Sequence, residues 1–184
     1  HLNFDEAAEL AYFGSKILHP SSISPAKLAN IPVRLKCTEC PDGEGTLISN
    51  EIEQSTIKAV AARENITAIK IKSTKMLLAH GFLRRVFEVF EQYLTPIDML
   101  TTSEVGISVT IDDVRHLDNI IDDLKKYGTV SIDRDMAIVA IVGDLAWEHV
   151  GFESKILDAL KDIPVRMISY GGSNYNMSVL VKKE

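Results

Sequence analysis

Apolar positions along this chain alternate between two periods, and each change of period marks an element. In residues 3–18, Ala7, Leu10, Ala11, Phe13, Ile17 and Leu18 recur at helical spacing, with Asp5 and Glu6 in the first turn, where they suit the helix dipole. Pro20 ends this helix, because its ring pushes residue 19 out of the helical region. Ser24-Pro25 is expected to open a short second helix through Leu28. Ile31-Pro32-Val33-Arg34-Leu35 reads as a strand, Cys40 to Gly45 as a turn-rich loop, and Thr46-Leu47-Ile48 as a short strand. A strand follows at 57–62, and a second at 66–72 that alternates apolar and polar. From Gly81 to Leu94, Leu83, Val86, Phe87, Phe90 and Leu94 form one apolar stripe, while Arg84, Arg85, Glu88 and Glu91 face away. Val105, Ile107, Val109 and Ile111 share one strand face. Residues 113–127 predict a helix with Val114, Leu117, Ile120, Ile121 and Leu124 inward and Gly128 as its C-cap, and Thr129 to Ile132 is one more strand. The sum from 66 to 132 is β-α-β-β-α-β, the ferredoxin-like order.

Much of this pattern occurs twice, about seventy residues apart. Ile66 to Lys72, then Gly81-Phe82, then Thr95-Pro96-Ile97-Asp98-Met99-Leu100 are echoed by Met136 to Val142, then Gly151-Phe152, then Ile163-Pro164-Val165-Arg166-Met167-Ile168. Self-similarity at a fixed period means one supersecondary unit used twice. The second copy runs strand 137–142, helix 152–161, strand 163–170 and strand 175–182, and so lacks a second helix and a fourth strand. The strand at 57–62 fills the strand vacancy, which makes the first unit an insertion within the second. The expected fold class is α+β: two ferredoxin-like units at 64–133 and at 51–63 with 134–184, the second without its last helix. Residues 1–50 are too few to bury a core alone and read as the end of a larger domain.

Charge and composition narrow the function. The net charge is −6 and Lys and Arg form no run or stripe, which argues against nucleic acid as a partner. No apolar stretch approaches the ~20 residues that span a bilayer, and no leader-like layout opens the chain, so the expectation is a cytoplasmic protein without a membrane partner. Cys37 and Cys40 supply two of the four ligands of a structural zinc, with no further cysteine to complete the set. Pro41-Asp42-Gly43 follows them as a turn, where a thioredoxin-like pair would open a helix, so they read as reduced thiols in a loop, and no metal site is expected.

Several segments resemble a known family. Phe13-Gly14-Ser15-Lys16-Ile17-Leu18-His19-Pro20 is similar to the Gly-Ala-Lys-Val-Leu-His-Pro signature that ends the kinase domain of aspartokinases. Lys72 to Leu83 and Asp98-Met99-Leu100-Thr101-Thr102-Ser103-Glu104-Val105 resemble the effector-binding segments of the first of that family's tandem ACT domains. The resemblance runs along essentially the whole chain, and in that family the second ACT domain is split by the first. Nothing here resembles the Lys-Phe-Gly-Gly phosphate loop, so the fragment is expected to be catalytically inactive and to need no cofactor. ATP and Mg would act in the parent enzyme, which makes 4-phospho-L-aspartate from ATP and L-aspartate. Lys16 and Ile17 match the family's ATP-contacting positions.

The same resemblance implies an amino-acid effector, L-lysine ahead of L-threonine, and a homodimer through the ACT domains. The residue chemistry suits such a ligand. Gly81-Phe82-Leu83 opens a helix, whose unpaired N–H groups and dipole favour a carboxylate, and Gly81 has no Cβ to block close approach. Asp98 offers negative charge to an ammonium, the family implies Met76 and Ile97 as lining residues, and Ser103 and Glu104 could finish the pocket or reach one on a partner subunit. In the second unit Arg166 matches Asp98, and that reversal of charge implies a structural role there. Leu78 and Pro96 replace a His and a Ser of some lysine-sensitive members, which keeps threonine open as effector. The alternative function is an amino-acid-insensitive dimerisation and scaffold module of the same enzyme.

Overall fold

The computed structural model describes residues 1–13, 18–52, 57–76 and 80–183. Strand β1 (Leu2–Asn3) runs directly into helix α1 (Phe4–Tyr12). Asn3 is the N-cap: its Oδ1 accepts the Glu6 N–H at 2.8 Å, while Glu6 Oε2 accepts the Asn3 N–H at 2.8 Å. This reciprocal pair satisfies two donors that a helix start otherwise leaves open. Helix α2 spans Pro20–Leu28, so the expected start at Ser24 is corrected: Pro20 sits at the first helical positions, where its missing N–H is no loss, and His19 caps it by accepting from Ser21 N. Pro25 lies inside this helix rather than opening it. Strands β2 (Val33–Leu35) and β3 (Thr46–Ser49) complete a three-stranded sheet of order β1-β3-β2, with Phe4, Ala7, Ile23 and Ile48 buried together against it.

The larger sheet holds six strands, β4 (Ala59–Lys72), β5 (Leu100–Thr102), β6 (Gly106–Ile111), β7 (Thr129–Val142), β8 (Val165–Ser169) and β9 (Asn176–Lys182), in the order β5-β6-β4-β7-β9-β8. The expected strands at 57–62 and 66–72 are one continuous β4, and those at 129–132 and 137–142 are one continuous β7. Each carries one left-handed residue in its middle, Asn65 at φ 61° and Asp135 at φ 56°. Asn and Asp are the side-chain-bearing residues that best tolerate this conformation, so the strand turns at that point without ending.

The chain divides into two compact units, one of residues 1–63, 139–164 and 170–179, the other of 64–138, 165–169 and 180–184. In the second of these, β4, α3 (Phe82–Gln92), β5, β6, α4 (Leu117–Leu124) and β7 follow the β-α-β-β-α-β order, with Thr67 to Lys72 of β4 antiparallel to Ile111 to Gly106 of β6. Its core joins Ile69 and Ile71 of β4, Val86 and Phe90 of α3, Ile107, Val109 and Ile111 of β6, and Leu117, Ile120 and Leu124 of α4. In the first unit α5 (Phe152–Ala159) opens at Gly151, and Phe152 meets Tyr170 edge-on at 5.6 Å. There Lys58 N–H bonds Val142 O at 2.9 Å, and the Lys58 ammonium lies 3.2 Å from the fully buried Glu6 carboxylate. Among the described residues no helix is long and apolar enough to cross a membrane.

Candidate functional site

Strand β4 ends at Lys72, paired with Gly106, and Ser73 N–H extends the pairing to Val105 O at 2.9 Å. Thr74–Met76 forms one 3-10 turn, and Met76 packs part-buried against the core of this unit. Helix α3 then starts at Phe82 behind Gly81, whose φ of 75° is left-handed and whose Cβ direction is empty to 4 Å. No side chain among the described residues caps α3. Its first N–H groups are therefore left to solvent or a ligand. Phe82 is buried and meets Tyr127 edge-on at 6.3 Å, which fixes the helix start beside the end of β4, while Leu83 stays partly exposed. Across the β5–β6 turn Ser103 N–H bonds Gly106 O at 2.8 Å, leaving Ser103 and Glu104 exposed at this same end of the sheet.

A surface hollow of about 630 Å3 lies here, walled by Lys72, Ser73 and Thr74 on one side and Lys126, Tyr127 and Gly128 on the other. Gly128 is not the C-cap expected of it, since α4 is capped by Lys125. A Cβ at residue 128 would instead lie 2.4 Å from Lys72 O and 2.9 Å from Ser73 Cβ, so the glycine is needed for close approach of two backbones. Lys126 pairs with Asp123, whose carboxyl is held below the usual range by that ammonium and by the Tyr93 hydroxyl donating to it at 2.7 Å. The same bond raises the Tyr93 hydroxyl above its ordinary value.

Asp98 sits elsewhere. Its N–H bonds Thr110 O at 2.9 Å and the next N–H, of Met99, bonds the Thr110 hydroxyl at 2.9 Å, so residues 98–102 run extended along β6. Asp98 is half-buried with Oδ2 shielded from solvent, and Ile97 packs part-buried against the core. Four extended residues separate Asp98 from Ser103, and the five steps between them span about 16 Å at the rise of a strand. The structure thus gathers Met76, Gly81, Phe82, Leu83, Ser103 and Glu104 at one end of the sheet and places Ile97 and Asp98 at the other. One chain by itself does not bring all of these residues to one groove, because β5 runs from one end to the other between the two sets. Lys16 and Ile17 lie outside the described residues. Thr110, which anchors the Asp98 backbone, is not singled out by sequence, where it reads like Ser108 as one polar position of an alternating strand, although it is fully buried.

In the repeat, Gly151 takes φ 95° before α5, again without a side-chain cap. Arg166, matching Asp98, has its guanidinium Nε 2.6 Å from Asp133 Oδ2.

Comparison with known proteins agrees with this architecture. Residues 139–184 match the ACT domain family. Over its full length the chain is 38% identical to aspartokinase 3, chloroplastic, of Arabidopsis thaliana, of which it covers 35%. The solved structure of Escherichia coli aspartokinase III in complex with lysine and aspartate (T-state) superposes with a TM-score of 0.83 at 34% identity, over 98% of this chain and 42% of that one. A structure assigned to the C-terminal regulatory domain of aspartate kinase from Porphyromonas gingivalis W83 is 55% identical with a TM-score of 0.62, over 70% of this chain and 88% of that one. The chain spans about a third of the length of the Arabidopsis relatives it matches. Identity at this level, carried over nearly all of a regulatory-domain structure and over this whole chain, means that the chain belongs to the aspartokinase family and corresponds to its C-terminal regulatory region.

Proposed function

We propose that this region senses an end-product amino acid, L-lysine in preference to L-threonine, and restrains a parent enzyme that makes 4-phospho-L-aspartate from ATP and L-aspartate. The observation that carries the reading is the likeness, over 98% of this chain, to a relative whose structure holds lysine. The residues here suit that ligand. The uncapped start of α3 behind Gly81 offers N–H donors to a carboxylate, and Asp98 offers a carboxylate to an ammonium. One chain holds these groups at opposite ends of β5, farther apart than one amino acid reaches. β5 is also an edge strand of the sheet, and an edge strand favours pairing with a second copy. Antiparallel pairing about a twofold axis would set the Asp98 end of one copy beside the Gly81 end of the next, giving two equivalent sites per homodimer.

In this reading Met76, Phe82, Leu83, Ser103 and Glu104 wall the carboxylate half, and Ile97 supports the Asp98 half. ATP and Mg belong to the catalytic part of the parent enzyme, where Lys16 and Ile17 contribute to nucleotide contact. Lysine inhibits because it binds one arrangement of the parent enzyme more tightly than the other, a coupling that holds only through such a difference.

The test is calorimetric titration of the chain with lysine, then threonine, repeated on Asp98→Ala. Lysine should bind saturably, and the substitution should weaken it roughly 10- to 100-fold, the worth of a hydrogen bond to a charged group. Binding of threonine alone would reassign the effector. No heat with either, from a folded dimer, would leave the dimerisation and scaffold reading in its place.

A further inference from the structure

We infer that Cys37 and Cys40 form a redox-modification site, a dithiol that closes to an intrachain disulfide by exchange with a small-molecule disulfide. They are the only cysteines of the chain, and both thiols are free and exposed. The loop between β2 and β3 sets them up for closure. Cys40 N–H bonds Cys37 O at 3.2 Å, and Gly43 N–H bonds Cys40 O at 3.1 Å, so two successive turns share Cys40 as their hinge. An i to i+3 bond of this kind holds the first and last Cα within about 7 Å, and disulfides bridge Cα separations of about 4.4–6.8 Å. The loop is also tied from outside the turns. Lys36 Nζ donates to Pro41 O at 3.0 Å and Arg34 Nη1 to Glu44 O at 2.8 Å. At its exit Gly45 takes φ 67°, and a Cβ there would stand 2.1 Å from Leu35 O. The backbone that carries the thiols is thus shaped by its own bonds, and little rearrangement is needed to join them.

Metal capture is the rival use of two thiols. Among the described residues no cluster of three or more His, Cys, Asp or Glu side chains is placed to hold an ion. Structural zinc needs four ligands, so this pair alone is an incomplete cage but a complete dithiol.

The chemistry balances with glutathione disulfide as the oxidant. One cysteine thiolate attacks a sulfur of glutathione disulfide, the S–S bond breaks, and one glutathione leaves, taking up a proton. The second cysteine thiolate then attacks the protein-bound sulfur of the mixed disulfide, forming the Cys37–Cys40 bond and expelling the second glutathione. Two protein thiols are oxidised, one small disulfide is reduced to two thiols, and the two cysteine protons end on the departing glutathiones.

The experiment equilibrates the full chain in buffers of graded reduced-to-oxidised glutathione ratio, quenches with an alkylating agent, and weighs the tryptic peptide 37–58, which carries both cysteines. Wild type should pass in one step from doubly alkylated to a peptide lighter than the reduced one by two hydrogens, with glutathionylated peptide only transient. Cys37→Ser and Cys40→Ser, exposed loop substitutions, should each retain one glutathione because no second thiol can release it. The inference fails if the wild-type peptide stays doubly alkylated at the most oxidising ratio, if it keeps bound glutathione as the single variants do, or if its disulfides join two chains.

Discussion

The ion pair between Glu6 and Lys58 should govern the stability of the unit that contains it. Glu6 is fully buried and Lys58 nearly so, 0% and 7% exposed, with Glu6 Oε2 3.2 Å from the ammonium. The same oxygen accepts the Asn3 N–H and completes the cap of α1. Glu6→Gln keeps a capping acceptor and removes only the charge, so its cost isolates the pair. Taking the carboxylate from a buried ammonium costs about 3–5 kcal/mol, and retention of the cap keeps the expected loss near 3 kcal/mol. Glu6→Ala also loses the cap, which adds about 1 kcal/mol. Lys58→Met strands the carboxylate and should cost about as much as Glu6→Gln. The double variant Glu6→Gln with Lys58→Met removes both charges of this pair and should lose less than the sum of the two single losses, because neither buried charge is left facing a missing one. Urea unfolding followed by circular dichroism, with hydrogen exchange of the α1 amides as the local readout, measures all four. A Glu6→Gln loss below about 1 kcal/mol, or a double variant whose loss equals the sum of the singles, would refute the argument.

Three further outcomes follow from the local geometry. Gly128→Ala should cost about 2–3 kcal/mol, the range of overpacking, because its Cβ meets the Lys72 carbonyl at 2.4 Å. Gly81→Ala, where the Cβ direction is empty and only the φ of 75° is strained, should cost about 1 kcal/mol, and equal losses in thermal unfolding would contradict the distinction. The carboxyl of Asp113 is held down to about 2 from 3.8, first by the Arg115 guanidinium bonded to it and then by the Arg115 backbone N–H. Its folded value is depressed, so its contribution to stability is complete above pH 3.8 and fades as pH falls from there through about 2. A carboxyl-carbon NMR titration of Asp113 with its midpoint at 3.8 rather than near 2 would remove that contribution.

What the sequence could and could not convey divides along physical lines. The apolar stripe of α3 and the alternation of β6 are legible in their middles because burial imposes their periods, and Val86, Phe90, Ile107, Val109 and Ile111 all lie in one core, whereas Leu83, Leu94 and Val105 at their ends are exposed. Breaks were harder to read. Residues 63–65 read on sequence as the gap between two strands, yet one left-handed Asn65 sits within a single strand of 14 residues, and Asp135 does the same seventy residues on. The local pattern marks Pro20 only as a stop, although a proline that ends one helix can sit at the first position of the next. Gly128 reads as a cap because nothing in a local pattern announces that a distant carbonyl will pass 2.4 Å from its missing Cβ. The placement of the candidate site residues is hidden from a local pattern in the same way. Residue types and spacing pointed to Asp98 and Gly81, but spacing does not say at which end of a strand each one arrives.

The two copies of the repeat separate what builds the fold from what would select a ligand. Gly81 and Gly151 both take left-handed φ, both precede a helix without a side-chain cap, and both are followed by a buried Phe. An exposed helix start is therefore common to both copies and cannot by itself distinguish a binding unit from a structural one. The difference lies in the residue at the start of the following strand. In the first copy it is Asp98, a half-buried carboxylate whose backbone is anchored by Thr110. In the second it is Arg166, already engaged with Asp133. An amino-acid ammonium is attracted to the first position and repelled by the second. If lysine binds this chain, sites should number one per chain rather than two, and Arg166→Ala should leave its affinity unchanged where Asp98→Ala abolishes most of it. Two sites per chain in the titration would mean that the shared backbone geometry, not the charge, selects the ligand.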